Sequence, residues 1–212
     1  MSKAPRARDL KQQRAMTTRT DILDAAIELF ARRGILATTM AELARTIKMT
    51  PGALYWHFPT KEDLLLGAVE KLHLRFVEEF ASLLAESRSW TAKQQLKGFL
   101  ERTHSFLRVN RNHGMFFGIL SAESAEDNER VAHALRNALS DFVAALANIL
   151  RYGQKKTLEF RTDIDPATLA FSILSANVGV IVQHHLFASS HTYDPLVTTM
   201  HQVLLDGVER RK

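Results

Sequence analysis

The chain has 212 residues, 46% of them hydrophobic and 24% charged, with 28 Lys+Arg against 23 Asp+Glu and no cysteine. That length buries a full core and leaves room for a small and a larger unit, and the composition is that of a globular protein. Absence of cysteine excludes disulfide frameworks and thiol catalysis and fits a cytoplasmic protein. No uninterrupted apolar run approaches the ~20 residues a membrane span needs, and no secretory signal is expected in the basic, polar first twenty residues.

Charge is distributed unevenly. Residues 1–65 carry 11 basic against 7 acidic side chains, and residues 66–212 carry 17 against 16. Six of the basic ones (Lys3, Arg6, Arg8, Lys11, Arg14, Arg19) fall in the first twenty residues, with Asp9 the single acid and few apolar neighbours. A segment of this kind buries too little surface to order itself, so residues 1–15 read as a flexible basic arm. A first helix follows from a cap near Thr18 to Gly34, with Ile22, Ala26 and Phe30 on one stripe and Leu23 and Ile27 beside it. Gly34 is placed to stop it.

Two short helical patterns come next. Thr39 is placed to cap the first while Glu42, three residues on, returns the bond; Leu43 and Ile47 share its buried side. Thr50 caps the second, Pro51 takes its first position, and Leu54 and Phe58 form its inward stripe. Gly52, Ala53, Tyr55, Trp56 and His57 are left on or near the outward side. Two short helices about a tight turn are the layout of a helix-turn-helix. After Pro59, Thr60 caps a long helix with Asp63 completing the box, and Leu64, Ala68, Leu72, Phe76 and Phe80 keep its period to about Glu86.

The run Ala53-Leu54-Tyr55-Trp56-His57-Phe58, with Pro59-Thr60-Lys61-Glu62-Asp63-Leu64-Leu65 after it and the helix Ile22–Gly34 before it, resembles the DNA-binding domain of the tetracycline-repressor (TetR) family of bacterial transcription regulators. Lys48 stands where that family's turn commonly has glycine, which asks for a left-handed backbone, and Ala53 replaces a commonly hydroxylated residue. The resemblance implies that Thr39, Tyr55 and Lys61 contact phosphates. Base edges fall to the face Thr50, Pro51, Gly52, Ala53, Tyr55, Trp56 and His57, with Trp56 itself expected to pack against the long helix. The basic arm is then either a tether along the duplex or a solvated tail.

Ser87–Trp90 breaks the pattern, and Thr91 with Gln94 caps a helix carrying Leu96, Phe99, Leu100, Thr103, Phe106 and Leu107. A short apolar piece, Met115–Leu120, precedes a long helix expected over Glu126–Tyr152 and ended by Gly153; Gln154–Thr162 reads as a loop. Asp165-Pro166 and Asp194-Pro195 each announce a closing helix. The first of these is apolar around much of its circumference, which requires an inner core and an outer partner. No strand is expected, and the chain reads as all-α, with residues 16–76 as a helix-turn-helix DNA-binding domain and residues 77–212 as a helical effector-binding and dimerisation domain.

By resemblance, the two closing helices pair across a two-fold axis, the homodimer reads a palindromic operator in double-stranded DNA, and a small-molecule effector, largely apolar, fills a pocket in the larger domain. Candidates for that pocket are Phe99, Phe106, Phe116, Phe117 and Phe142 with His104 and Asn177, followed by Met115, Phe171, Leu174, His113 and His184. No cofactor, metal or membrane partner is expected. A rival class rests on two Glu-x-x-His pairs, Glu70/His73 and Glu101/His104, whose spacing is that of carboxylate-bridged metal bundles; a solvated face accounts for both more simply, and a further alternative is a DNA-binding regulator without a small-molecule effector.

Overall fold

The computed structural model describes residues 7–123, 128–187 and 193–210. In chain order it holds α1 (Ala7–Arg33), α2 (Met40–Thr46), α3 (Pro51–His57), α4 (Lys61–Glu86), a 3-10 turn (Ser87–Ser89), α5 (Ala92–Val109), α6 (Arg111–Glu123), α7 (Glu129–Lys155), α8 (Pro166–Leu186) and α9 (Tyr193–Val208). The fold is all-α, as the periodicities require.

The caps explain most boundaries. Thr50, Thr60, Thr91 and Asp165 each accept a backbone N–H three residues on, and Thr60/Asp63 and Thr91/Gln94 form full reciprocal boxes. At α2 only half the expected box forms: Thr39 accepts from the Glu42 amide, but the Glu42 carboxylate turns to Arg33 of α1 instead. Gly34 ends α1 with φ +85°, the left-handed conformation that favours glycine.

Several elements depart from expectation. Helix α1 begins at Ala7, so residues 7–15 of the expected arm are helical, in keeping with the helix propensity of its Arg, Lys, Gln and Ala residues; residues 1–6 lie outside the described residues. The apolar piece Met115–Leu120 is part of a full helix, α6. Helix α7 runs past Gly153 to Lys155, and Glu126, its expected start, lies outside the described residues. Gly153 does not stop the helix; it makes room for a ring, since a Cβ there would sit 2.0 Å from Cδ2 of buried Phe160. Phe160 anchors the connection that read as a plain loop, through a β-bridge to Glu209. Helix α9 starts at Tyr193, inside which Asp194 serves His104.

The core divides into apolar clusters, the two largest at opposite ends of α4. One apolar cluster joins Ile22, Phe30, Leu43, Leu54, Phe58, Leu64 and Leu72 to Phe116 and Leu120 of α6 and Val131 and Leu135 of α7. A second joins Phe80, Leu96, Phe99, Phe142, Leu146 and Ile173. Helix α4 passes from one to the other, which physically ties the small N-terminal bundle to the larger one.

Helix α8 buries Ala170, Ile173, Asn177 and Ile181 and exposes Phe171, Val182 and Leu186. Among the described residues it is the one helix long and apolar enough to cross a membrane by length and composition. Counting uninterrupted apolar runs hid this, because Ser172, Ser175 and Asn177 punctuate the helix.

Candidate DNA interface and buried cavity

The helix-turn-helix is built from local bonds. Ile47 N–H donates to Leu43 (3.0 Å), Met49 N–H to Ala44 (2.8 Å), and Lys48 takes φ 56° between them, the left-handed turn its position demanded. Leu54 and Phe58 are fully buried, which aims the other side of α3 outward. Tyr55 is 48% and Trp56 74% exposed. Trp56 does not pack on α4: it follows Leu54 by two residues, about 200° around the helix, and so faces away from the core. Its indole stands edge-on to His57 at 4.7 Å. Pro51, Gly52, Thr50 and Thr39 are exposed, and Ala53 is half-buried.

Two cations, Arg19 and Lys61, the latter expected at a phosphate, make contacts inside the head. Arg19 of α1 donates to the His57 carbonyl (2.9 Å) and lies over the Phe58 ring at 4.2 Å. It therefore closes the C-terminus of α3, where a cation opposes the helix dipole. Burial and this guanidinium hold the His57 imidazole below its usual pKa. The Lys61 ammonium donates to the Ile35 carbonyl and lies 5.9 Å from the Phe30 ring, and burial lowers its pKa against the opposing pull of Glu123. Glu123, at the end of α6, accepts from the Ile35 and Leu36 amides (2.9 and 2.8 Å). The α1–α2 corner is thus clamped between α4 and α6.

In the larger bundle an apolar cavity of about 80 Å³ lies among α4, α5, α6, α7 and α8. Phe76, Phe80, Phe106, Phe117, Leu139, Phe142, Leu174 and Ile181 supply its walls, with His73, Thr103, His113 and Asn177 as polar members. Gly114 sets the depth of the α6–α8 contact: a Cβ there would meet Ile181 Cδ1 at 2.4 Å. Asn177 Nδ2 donates to the Ile173 carbonyl (2.9 Å), while its Oδ1 is buried without a partner, as is His113 Nδ1. Burial, helped by Arg75, pulls the His113 imidazole down to about 4, so it is neutral at pH 7.

Comparison with known proteins decides what this arrangement is. A family model described as bacterial regulatory proteins, tetR family, matches residues 22–68, and one described as the tetracyclin repressor-like, C-terminal domain matches residues 92–200. The second alone spans about half of the chain. The chain belongs to the TetR family.

It is therefore a DNA-binding transcriptional regulator. Among TetR-family relatives, the HTH-type transcriptional repressor KstR2 of Rhodococcus jostii (strain RHA1) is 29% identical over 196 residues, 90% of each chain. The fold matches MbdR from Azoarcus sp. CIB with TM-score 0.79 at 22% identity, covering 91% of this chain and 100% of that one. It also matches FadR from Bacillus subtilis, solved in complex with stearoyl-CoA, with TM-score 0.74 at 19% identity and 90% and 99% coverage.

Within this TetR-family chain the cavity takes some candidates and rejects others. Phe106, Phe117 and Phe142 line it with Asn177, His113 and Leu174. Phe99 lies behind the wall, packed on Phe80 and Phe142 at 4.7 and 5.1 Å. Phe116, the neighbour of a lining residue, points the other way and stacks on Phe30 of the head at 6.2 Å. His104 bonds Asp194 at the α5–α9 contact (2.9 Å), Phe171 is exposed, and Met115 and His184 line a separate cleft beside Tyr193. The α4 residues Leu72, His73, Phe76 and Phe80 were missed as lining, although their helical stripe was legible; which cavity that stripe faces depends on α7. The Glu-x-x-His pairs do not converge: His73 bonds Asp141 (2.7 Å), His104 bonds Asp194, and Glu70 and Glu101 are exposed. No group of three or more metal-ligating side chains occurs among the described residues.

Proposed function

We propose that this TetR-family protein is a cytoplasmic repressor, not an enzyme, that binds a palindromic operator as a homodimer and leaves it when a small, largely apolar effector fills the cavity. The observation that carries the reading is the sharing of two helices between head and cavity. Helix α4 starts beside α3 and lends Leu72 and Phe76 to the cavity wall; α6 lends His113 and Phe117 to that wall and reaches the α1–α2 corner through Glu123. An occupant that pushes α4 and α6 apart therefore changes the aim of α3. Residues 16–76 act as the reading head, residues 77–212 as the sensor.

In this reading Thr39, Thr50, Tyr55 and the first turn of α4 at Lys61 meet phosphates, and Pro51, Gly52, Ala53, Trp56 and His57 approach base edges, mainly through apolar contact such as thymine methyl groups. The exposed apolar side of α8, Phe171 and Val182, with Val203 of α9, supports a two-fold partner there. The stearoyl-CoA complex of FadR lends support to an effector with an apolar part. Cavity size favours a small one, since ligand pockets typically run to ~300–1,000 Å³.

The test is selection of DNA from random fragments by the purified protein, followed by retardation of the selected fragment with and without apolar compounds. The expected result is an inverted repeat bound by dimers and released by at least one compound. A single half-site, or a complex indifferent to every compound that binds the protein, overturns the proposal.

A further inference from the structure

We infer that the cavity selects hydrocarbons: it takes a molecule no larger than one small ring and carrying no hydrogen-bonding group. Its role as effector site rests on the function proposed above, the selection on the cavity wall alone.

The surface that the cavity presents to an occupant is wholly apolar, although four polar residues stand in the wall. Each of them turns its polar atoms elsewhere. The Thr103 hydroxyl donates to the Phe99 carbonyl (2.9 Å), and His73 Nε2 is bonded to Asp141 (2.7 Å). Asn177 Nδ2 donates to the Ile173 carbonyl (2.9 Å). The two atoms left without partners, Asn177 Oδ1 and His113 Nδ1, are sealed beneath the surface and offer an occupant nothing. Among the described residues no Lys, Arg, Asp or Glu lines the cavity. A hydroxyl entering it therefore gives up its hydrogen bonds to water and gains none, and a carboxylate or ammonium loses far more. A hydrocarbon has no such bonds to lose.

Shape and size narrow the class. Phe76, Phe106, Phe117 and Phe142, with Leu139 and Leu174 between them, suit a ring whose edge or face meets theirs. A volume of about 80 Å³ exceeds several-fold the ~10–15 Å³ that one water needs and lies below the ~150 Å³ of an engineered apolar cavity that takes benzene. One small ring is thus the upper limit, and fused rings and long chains are excluded. Ala138 gives the means to close the space: it is buried on α7 and its methyl group forms part of the wall.

The experiment is calorimetric titration of the full chain with benzene, phenol, benzoate and naphthalene. Benzene is expected to bind saturably, phenol at least about tenfold more weakly, the cost of one buried hydroxyl without a partner, and benzoate and naphthalene not at all. Ala138→Leu, with helix content unchanged, is expected to abolish benzene binding by filling the space. Ala138→Val, a smaller intrusion that serves if the leucine disturbs folding, is expected to weaken it about tenfold. Phenol binding as tightly as benzene, binding of benzoate or naphthalene, no binding of benzene, or native benzene affinity in a folded Ala138 variant overturns the inference. Retardation of the selected operator separates the two readings. If phenol releases DNA and benzene does not, the selection falls and the effector cavity stands. If benzene binds, and Ala138→Leu blocks it, while the operator stays bound throughout, the selection stands and the effector role falls.

Discussion

The recognition helix and the cavity both depend on aromatic side chains and use them in opposite ways. On α3 two large buried anchors, Leu54 and the C-cap Phe58, hold Tyr55 and Trp56 out in solvent, where their contact area is free for a partner. Around the cavity, Phe76, Phe80, Phe99 and Phe142 lean on one another at ring separations of 4.2 to 6.5 Å, and the space they fail to fill is the cavity. In the proposed function, exposed rings in the head contribute to binding and little to folding, while buried rings in the larger bundle contribute to folding and their imperfect fit leaves the cavity.

The widest gap between the two regions is expected from Phe142→Ala. It removes the ring shared by the other three and costs about 3–5 kcal/mol of stability in urea unfolding, with operator affinity unchanged wherever the protein remains folded. The two sides of α8 provide the next test. Phe171→Asp with Val203→Asp leaves helix content intact but yields monomers in light scattering. Operator affinity then falls on the order of a hundredfold, because two linked heads become one. Ile173→Asp, a charge placed in the buried core, fails to fold instead. A folded Ile173→Asp monomer means that the inner and outer faces of α8 have been assigned the wrong way round.

Smaller effects come from the head. Tyr55→Ala and Trp56→Ala are each expected to weaken operator binding about tenfold while shifting stability by less than ~0.5 kcal/mol. A fall in melting temperature with unchanged DNA binding reverses the comparison. The smallest effect is a pH response in the sensor. Burial holds His201 as well as His113 down at about 4, below the ordinary 6.5. Between those values the unfolded chain binds protons that the folded one refuses. Stability is therefore full above pH 6.5 and declines as pH falls toward 4, by on the order of 1 kcal/mol per histidine between pH 7 and 5.5. His201→Leu is expected to flatten the stability–pH curve measured by urea unfolding.

The head was legible because its signals are short-range. Thr50 and Pro51 start α3, Thr60 and Asp63 start α4, and Leu54 with Phe58 sets the buried stripe, all within four residues of each other. Where a distant group competed, the sequence did not name the partner. Glu42 left its box for Arg33, the Lys61 ammonium donates to the Ile35 carbonyl, and Arg19 donates to the His57 carbonyl. In the sensor, Phe116 and Phe117 are adjacent in sequence and separate in fate, one stacked on the head and one on the cavity wall. Helical period places them 100° apart and does not say which neighbour each will meet.

From the sequence alone came the helical class, the caps, the left-handed turn at Lys48 and the outward face of α3. Each depends on bonds and sterics spanning a few residues, so the string of residues contains the whole cause. Tertiary structure decided which phenylalanines border empty space, which of His73, His104 and His113 are satisfied, and that Gly153 makes room for Phe160 instead of ending a helix. Those outcomes follow from the separation and angle of helices far apart in the chain. A cavity is the residue of packing among five of them, so no one segment carries its signature.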